Sequence, residues 1–337
     1  MNVPHLIITS IYQPNSIMHA LAQGATSNGW KLIVIGDASS PKDFQLKGAQ
    51  FISVEDQKLT GLRFAEACPL RHYARKNIGY LLAAREGAPV IIETDDDNMP
   101  TPAFFDDRVR HQSVAETHGA GWTNVYRYFF DGTLWPRGFP LDEIKNAPPE
   151  YDTLKNISVD CPIQQGLADS NPDVDAIYRL VMPLPIQFRG NRRVALGSGS
   201  WCTFNSQNTT WWPDAYPLLY LPAYCSFRMT DIWRSLLAQR IAWENGWHIL
   251  FHPATVTQDR NDHDLMKDFL DEIPGYLNNR RIAEMLMALP IKPALEAIPD
   301  NLRLCYEGLT RMGLVGAGEL VLLEAWLEDL RVRQPKI

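Results

Sequence analysis

Through its first hundred residues the chain alternates short apolar runs with amphipathic stretches. His5 to Ile11 reads as a first strand, and the apolar positions Ile17, Leu21 and Ala22 predict a helix that stops near Asn28-Gly29. Lys31 to Ile35 reads as a second strand ending at Gly36-Asp37, and a third falls near Gln50 to Val54. A helix follows over about Leu70 to Glu86. Val90-Ile91-Ile92 is then the β-branched run of a fourth strand buried on both faces. Alternating β and α elements imply right-handed crossovers and a mainly parallel sheet, so residues 1-100 read as a nucleotide-binding half.

Beyond residue 100 the pattern turns to strands, aromatics and irregular loops. Strands are expected at 121-126 and 194-204, with Trp135 to Leu141 as an ordered loop between them. A helix starts near Thr230, its expected N-cap, and Ile249 to Val256 reads as a strand. The spacing of Leu320, Leu323, Leu327 and Leu330 predicts a C-terminal helix packed on its own domain. The organisation expected is residues 1-265 as one α/β domain, with 101-265 as its sugar and acceptor half, and 266-337 as a helical region.

The fourth strand ends in acid: Glu93-Thr94-Asp95-Asp96-Asp97-Asn98. Carboxylates do not stay unpaired in a buried strand, so they should emerge at its end, where ligands bind in open α/β sheets. Continued strand alternation would point Asp95 and Asp97 the same way and Asp96 the opposite way. Two converging carboxylates suit Mg²⁺ or Mn²⁺, which fills its other positions with water and phosphate oxygens. Asp95 and Asp97 are therefore the expected metal ligands, with His263 completing the shell. An EF-hand is excluded by Met99 and Pro100, which stand where that loop needs an oxygen ligand and a glycine.

Other residues group around a diphosphate. Arg71 and Arg75, one turn apart on the predicted helix, offer guanidinium forks to phosphate, or else form an ordinary solvated helix face. Asn77 lies on the apolar stripe of that helix and must find a partner if buried. Asp37, at the second strand's end, is placed to meet ribose or base. Thr9 and Asp96 join the donor-binding set. Gln165, Asp169, Asp173 and Asp175, with Arg137 and Arg228, form the expected sugar or acceptor pocket. Asp231 in the first turn of its helix is the candidate general base, although capping and the helix dipole favour an acid there in any protein.

Composition narrows the partners. The net charge of -7 argues against a nucleic-acid-binding surface. Five scattered cysteines without C-x-x-C spacing fit reduced thiols in a cytosol. The N-terminus lacks a basic n-region and no apolar stretch reaches spanning length, so the expectation is a soluble, cytoplasmic protein without a membrane span. A homo-oligomer stays open.

Several segments together resemble the STELLO glycosyltransferase family, and more distantly the reversibly glycosylated polypeptides that act on UDP-arabinose. They are Tyr73-Ala74-Arg75-Lys76-Asn77-Ile78-Gly79-Tyr80-Leu81, the acidic Glu93 to Asn98, and Trp135-Pro136-Arg137-Gly138-Phe139-Pro140-Leu141. Gln165-Gly166-Leu167, Pro172-Asp173-Val174-Asp175-Ala176-Ile177 and Asp231-Ile232-Trp233-Arg234 follow in the same order. The likeness covers roughly residues 5-265, and the C-terminal helices carry no family signal. It implies a GT-A-like fold, a Rossmann-like mixed sheet flanked by helices, and transfer from a nucleotide-sugar donor, a UDP-sugar favoured, with Mn²⁺ or Mg²⁺. The acceptor, whether saccharide, lipid or protein, is not implied. Plant members look like Golgi membrane proteins, and their cell-wall role does not carry over. A sugar-nucleotide mutase or nucleotidyltransferase, or a non-catalytic nucleotide-sugar-binding scaffold, remains as an alternative on the same fold.

Overall fold

The structure, a computed structural model, describes residues 2-261 and 264-331. Its first half runs β1 (His5–Thr9), α1 (Ser16–Ser27), β2 (Lys31–Ile35), β3 (Ala49–Ile52), α2 (Val54–Leu59), α3 (Arg63–Ala67), α4 (Lys76–Arg85), β4 (Ile91–Thr94) and β5 (Asn98–Pro100). The middle contributes β6 (His111–Thr117), β7 (Gly121–Trp122), β8 (Lys155–Asp169), α5 (Ala176–Val181), β9 (Val194–Leu196), β10 (Ser200–Trp201) and β11 (Asn208–Trp211). Then follow α6 (Thr230–Glu244), β12 (Trp247–Gln258), α7 (Leu265–Ala288), α8 (Ile298–Arg311) and α9 (Gly318–Arg331). Among the described residues ten strands form one mixed sheet in the order β3-β2-β1-β4-β11-β8-β6-β9-β12-β5. The first four are parallel and β11 runs antiparallel to β4, so the sheet is Rossmann-like on one side and mixed on the other. This is the mixed sheet flanked by helices that a GT-A-like fold requires.

Side-chain alternation explains the continuous apolar strands. Leu6, Ile8, Leu32, Val34 and Ile92 face the α1 side with Ile17, Met18 and Leu21, while Ile7, Ile33 and Ile91 face the α4 side with Ile78 and Leu81. Glu93 is the exception on β4. Fully buried, it accepts hydrogen bonds from Trp211 Nε1 at 2.8 Å, from the Tyr80 hydroxyl, and from both terminal nitrogens of Arg234 at 2.8 and 3.0 Å. Arg234 is itself buried on α6, so this fork ties α6 to the centre of the sheet.

Several expected elements are shorter or broken. The helix expected from residue 70 begins only at Lys76, because Arg71 has φ +57° and residues 73-75 form a single 3₁₀ turn. Arg71 and Arg75 are therefore not neighbours on one helix face. Asn77 finds its partner as expected, donating to the Leu221 carbonyl at 2.8 Å and accepting the Leu221 N–H at 2.9 Å. The 121-126 strand keeps only its first two residues before a 3₁₀ turn at Val125–Tyr128, and the 194-204 strand is divided around Gly199, which takes φ +76°. Thr230 is the first residue inside α6, not its cap; Met229 stands there without a side-chain capping bond. In α9, Leu323 and Leu327 are buried with Leu322 and Trp326, while Leu320 and Leu330 lie at the margin. Asp329 on α9 accepts the N–H groups of Arg63 and Phe64, capping α3 from across the fold.

Breaking a buried ion pair from one side leaves an uncompensated charge in the core. Glu93→Ala and Arg234→Ala should each lower unfolding free energy by about 3–5 kcal/mol. The double variant should lose less than the sum of the two, which urea titration of all four proteins measures.

Candidate functional site

One cleft of about 390 Å³ lies where the parallel strands end. It is bounded by the ends of β1 and β2, the turn after β4, the loop before α4, the start of α6 and the segment after β12. Thr9, Asp37, Arg71, Arg75, Asp95, Asp96, Asp97, Arg137, Asp173, Arg228 and Asp231 all line it. Gln165, Asp169 and Asp175 do not line it, whereas Tyr73, Ser206, Arg179, Gln258 and Arg260 do.

The acids stand on a tight turn, not on an extended strand. β4 stops at Thr94, and the Asn98 N–H donates to the Asp95 carbonyl at 3.3 Å to close the turn between β4 and β5. Strand alternation therefore ends before Asp95, and Asp96 does not point away: it lines the cleft with its neighbours. Each carboxylate has a separate anchor. Asp95 Oδ1 accepts from the Tyr73 hydroxyl at 2.7 Å and from Lys76 Nζ at 2.8 Å. Asp96 Oδ2 accepts from Ser10 Oγ at 2.6 Å, and Asp97 Oδ2 from Gln258 Nε2 at 3.1 Å. Among the described residues, Asp97 Oδ1 is buried without a hydrogen-bond partner.

That orphaned oxygen has electrostatic consequences. Burial, followed by the charges of Asp95 and Asp96, pushes Asp97 up to about 7. Burial also raises Asp96, against the lowering effect of Ser10. A divalent cation would satisfy Asp97 Oδ1 and relieve the repulsion, so the acid turn fits Mg²⁺ or Mn²⁺. Among the described residues no group of three His, Cys, Asp or Glu side chains assembles to hold a metal alone. His263 lies outside the described residues.

Lys76 was counted from sequence only as an extra cation on a helix face. It is instead fully buried, donating to Asp95, the Tyr73 hydroxyl at 2.8 Å and the Thr94 carbonyl at 2.6 Å. Its place three residues after Tyr73, on one helix face, was the available signal. Ser206, which had none, bonds the Tyr73 hydroxyl at 2.7 Å and approaches Asp231 Oδ2 at 3.4 Å. A polar chain thus runs from the acid turn to α6.

Arg137 ends that chain. Its guanidinium forks onto Asp173 at 2.7 and 2.9 Å and onto Asp231 at 3.0 and 2.8 Å, and also donates to the Arg228 carbonyl. Gly138 makes this approach possible: at φ +85°, any Cβ there would meet Ile232 Cγ2 at 2.4 Å. Burial tends to raise Asp231, but Arg137 outweighs it and carries the carboxyl down to about 2. A carboxylate that acidic is a poor proton acceptor near neutral pH, which corrects the assignment of Asp231 as general base. Arg137 and Asp173 are likewise engaged with protein partners and shape the cleft wall.

Other assignments change more. Arg75 points its guanidinium at Gln57 and at the Cys68 carbonyl (2.9 Å), holding the loop before α4 instead of reaching for phosphate. Asp37 accepts the N–H groups of Arg71 and His72, both at 2.8 Å, so it fixes that loop and is not a free ribose ligand. Gln165 sits inside β8, bonded to Asn205, Asn208 and Thr209, away from the cleft. Asp169 holds the N–H of Phe188 at 2.9 Å, and Asp175 caps α5 through Tyr178 while accepting Trp135 Nε1. These three are structural because their acceptor capacity is already filled by the fold. Arg228 stays on the cleft wall, paired with Glu272 at 2.9 Å.

The family model for STELLO glycosyltransferases matches residues 228–335. The chain is 30% identical over 92% of its length to the probable glycosyltransferase STELLO2 of Arabidopsis thaliana. The chain is similar to the STELLO glycosyltransferases. It is also 27% identical over 90% of its length to the probable glycosyltransferase STELLO1 of the same plant. It spans 43% and 41% of these two relatives, about two fifths of their lengths. The STELLO match corrects one expectation, because it runs through α7, α8 and α9, where no family signal was expected. Among solved structures, glucosyl-3-phosphoglycerate synthase of M. tuberculosis superimposes at TM-score 0.40 and 8% identity, over 94% of this chain and 82% of that one. All five cysteines are unpaired, and among the described residues no helix is long and apolar enough to cross a membrane.

The state of Asp97 predicts a pH dependence. Between the ordinary carboxylate value and about 7 the folded protein holds a proton that the unfolded chain has lost, so the metal-free protein loses stability as pH rises from about 4 to about 7. The slope due to Asp97 is at most about 1.4 kcal/mol per pH unit. Asp97→Asn should flatten it, as melting curves across that range with chelator present would show.

Proposed function

We propose that the cleft is the donor site of a metal-dependent glycosyltransferase, which moves a sugar from a nucleoside-diphosphate sugar, a UDP-sugar foremost, to an acceptor. The observation that carries this reading is the acid turn: three carboxylates crowded at the strand ends, one with a buried oxygen lacking any partner. Such a turn is unfavourable by itself and favourable around a divalent cation bound to diphosphate oxygens. The STELLO likeness supports transfer chemistry, and the five unpaired cysteines suit a cytoplasmic setting.

Asp95 and Asp97 would hold Mn²⁺ or Mg²⁺, leaving other positions to water and phosphate oxygens. The bound ion would supply Lewis-acid stabilisation of the departing diphosphate. Lys76 fixes the Asp95 carboxylate and keeps one of its oxygens engaged, and Ser10 holds Asp96 against the β1 end. Arg71, exposed on the loop held by Asp37, is the guanidinium placed to swing toward a phosphate. Arg137 holds Asp231 ionised and immobile beneath the cleft. An inverting course needs a base for the acceptor hydroxyl, and Asp231 near 2 does not provide one. A retaining course, which does not require that base, therefore fits the paired Asp231 better.

Calorimetric titration with UDP, with and without Mn²⁺, tests the reading, alongside a thermal-shift panel of nucleotide sugars. Wild type should bind UDP only with the metal. Asp95→Asn and Asp97→Asn should each weaken that binding at least tenfold, about 1.4 kcal/mol. Asp96→Asn should do less, since Ser10 already engages its carboxylate. UDP affinity that is indifferent to Mn²⁺, with no other nucleotide sugar shifting the melt, would sink the proposal.

A further inference from the structure

The cleft has a second pole. Asp96 is tied through Ser10 to the β1 end, whereas Asp97 is tied through Gln258 to the end of β12, so the acid turn separates two walls. The β1 and β2 wall is the nucleoside side of a Rossmann-like sheet. On the other wall stand three arginines from three different elements: Arg179 on α5, Arg228 just before α6, and Arg260 just after β12.

Two of the three have counter-ions. Arg228 pairs with Glu272 at 2.9 Å, and Arg260 with Asp268 at 2.6 Å. Arg179 has no carboxylate in bonding range among the described residues. It donates only to the Pro172 carbonyl at 2.9 Å and weakly to Asn171 Oδ1 at 3.4 Å, and its Nε is buried with no partner. The nearby Asp173 is already forked by Arg137. Burial and the neighbouring charges of Arg260 and Arg228 press Arg179 down to about 10, against the opposing effect of Asp173, so the three guanidinia feel one another across the cleft. Gathering cations in a partly desolvated wall is unfavourable unless an anion binds among them, and planar forks suit the tetrahedral oxygens of phosphate.

We propose that Arg179, Arg228 and Arg260 form an anion subsite that binds a phosphate group carried by the acceptor. This rests on the glycosyltransferase reading for the word acceptor, and on the arginines alone for the anion. The donor diphosphate is held across the acid turn, and the arginine wall lies beyond it, facing the second substrate. The acceptor class is thus phosphorylated: a sugar phosphate, a phospho-acid or a lipid phosphate headgroup, which share the recognised group.

Inorganic phosphate is the probe, titrated calorimetrically into the full chain with and without saturating UDP and Mg²⁺. Phosphate should bind with affinity changed no more than about threefold by UDP, as separate subsites require. Arg179→Gln and Arg260→Gln should each weaken phosphate at least tenfold while UDP binding in the presence of Mg²⁺ stays within about threefold, which also certifies that the variants fold. Asp97→Asn should do the reverse. Phosphate excluded by UDP would assign the arginines to the donor diphosphate, and phosphate binding unchanged in both arginine variants would remove the subsite. If UDP does not bind wild type, the donor reading fails, and the phosphate titration of the arginine variants, with folding checked by their melting curves, still decides the anion subsite. Phosphorylated acceptors as free sugar phosphates or as phosphatidic acid vesicles then separate the sources.

Discussion

A carboxylate in the middle of a buried strand holds the functional face of this molecule together. Glu93 is fully buried among three donor residues, Tyr80, Trp211 and Arg234, and its fork with Arg234 spans β4 and α6. Two residues beyond Glu93 the acid turn starts; three residues before Arg234 stands Asp231. One ion pair therefore sets the distance between the cleft's acidic turn and its opposite helix. Replacing such a pair by apolar residues of equal volume often costs nothing in stability, so its value here is positional. The pair orders the site more than it stabilises the fold.

Arg137 repeats the device nearer the surface of the cleft. By forking onto Asp173 and Asp231 together it pairs one guanidinium with two carboxylates, and it holds Asp231 low against the effect of burial. The consequence for chemistry is negative for Asp231 and positive for geometry: an ion held near 2 does not shuttle protons, but it does not move either. Acidity in this cleft is graded by partner. Asp231 with a bidentate arginine lies low, and Asp97 with one amide and an empty oxygen lies near 7. Asp97, whose Oδ1 has no partner among the described residues, is the carboxylate that the proposed metal would engage.

Periodicity and strand chemistry made the parallel half legible: β1, α1, β2 and β4 lie within a few residues of where the apolar pattern places them. The acid run was recognisable because a charged triplet after a buried strand contradicts the local rule for core segments. What was not legible was pairing across long separations. Arg75 and Asp37 carry the residue types of ligand groups, yet their partners are Gln57 and the N–H groups of Arg71 and His72, contacts that exist only after the chain is closed. Lys76 had only its spacing from Tyr73 to mark it, and nothing else in its helix separates it from a solvated lysine. Local turns failed for a different reason. Alternation was extended through Asp95 to Asp97, whereas the chain had to reverse within four residues to pair β5 with β12.

The acid turn is also not as negative as its sequence. Lys76 neutralises part of it from below, and because its ammonium is sealed in by Tyr73, Thr94 and Ser206, it remains in place when a cation arrives above. That arrangement weakens attraction for a bare divalent ion, since one of the three charges is already matched. It would weaken attraction less for an ion that brings a diphosphate, because the ammonium then faces phosphate oxygens of opposite sign. In the proposed donor site the buried ammonium would therefore favour metal bound to its nucleotide over free metal.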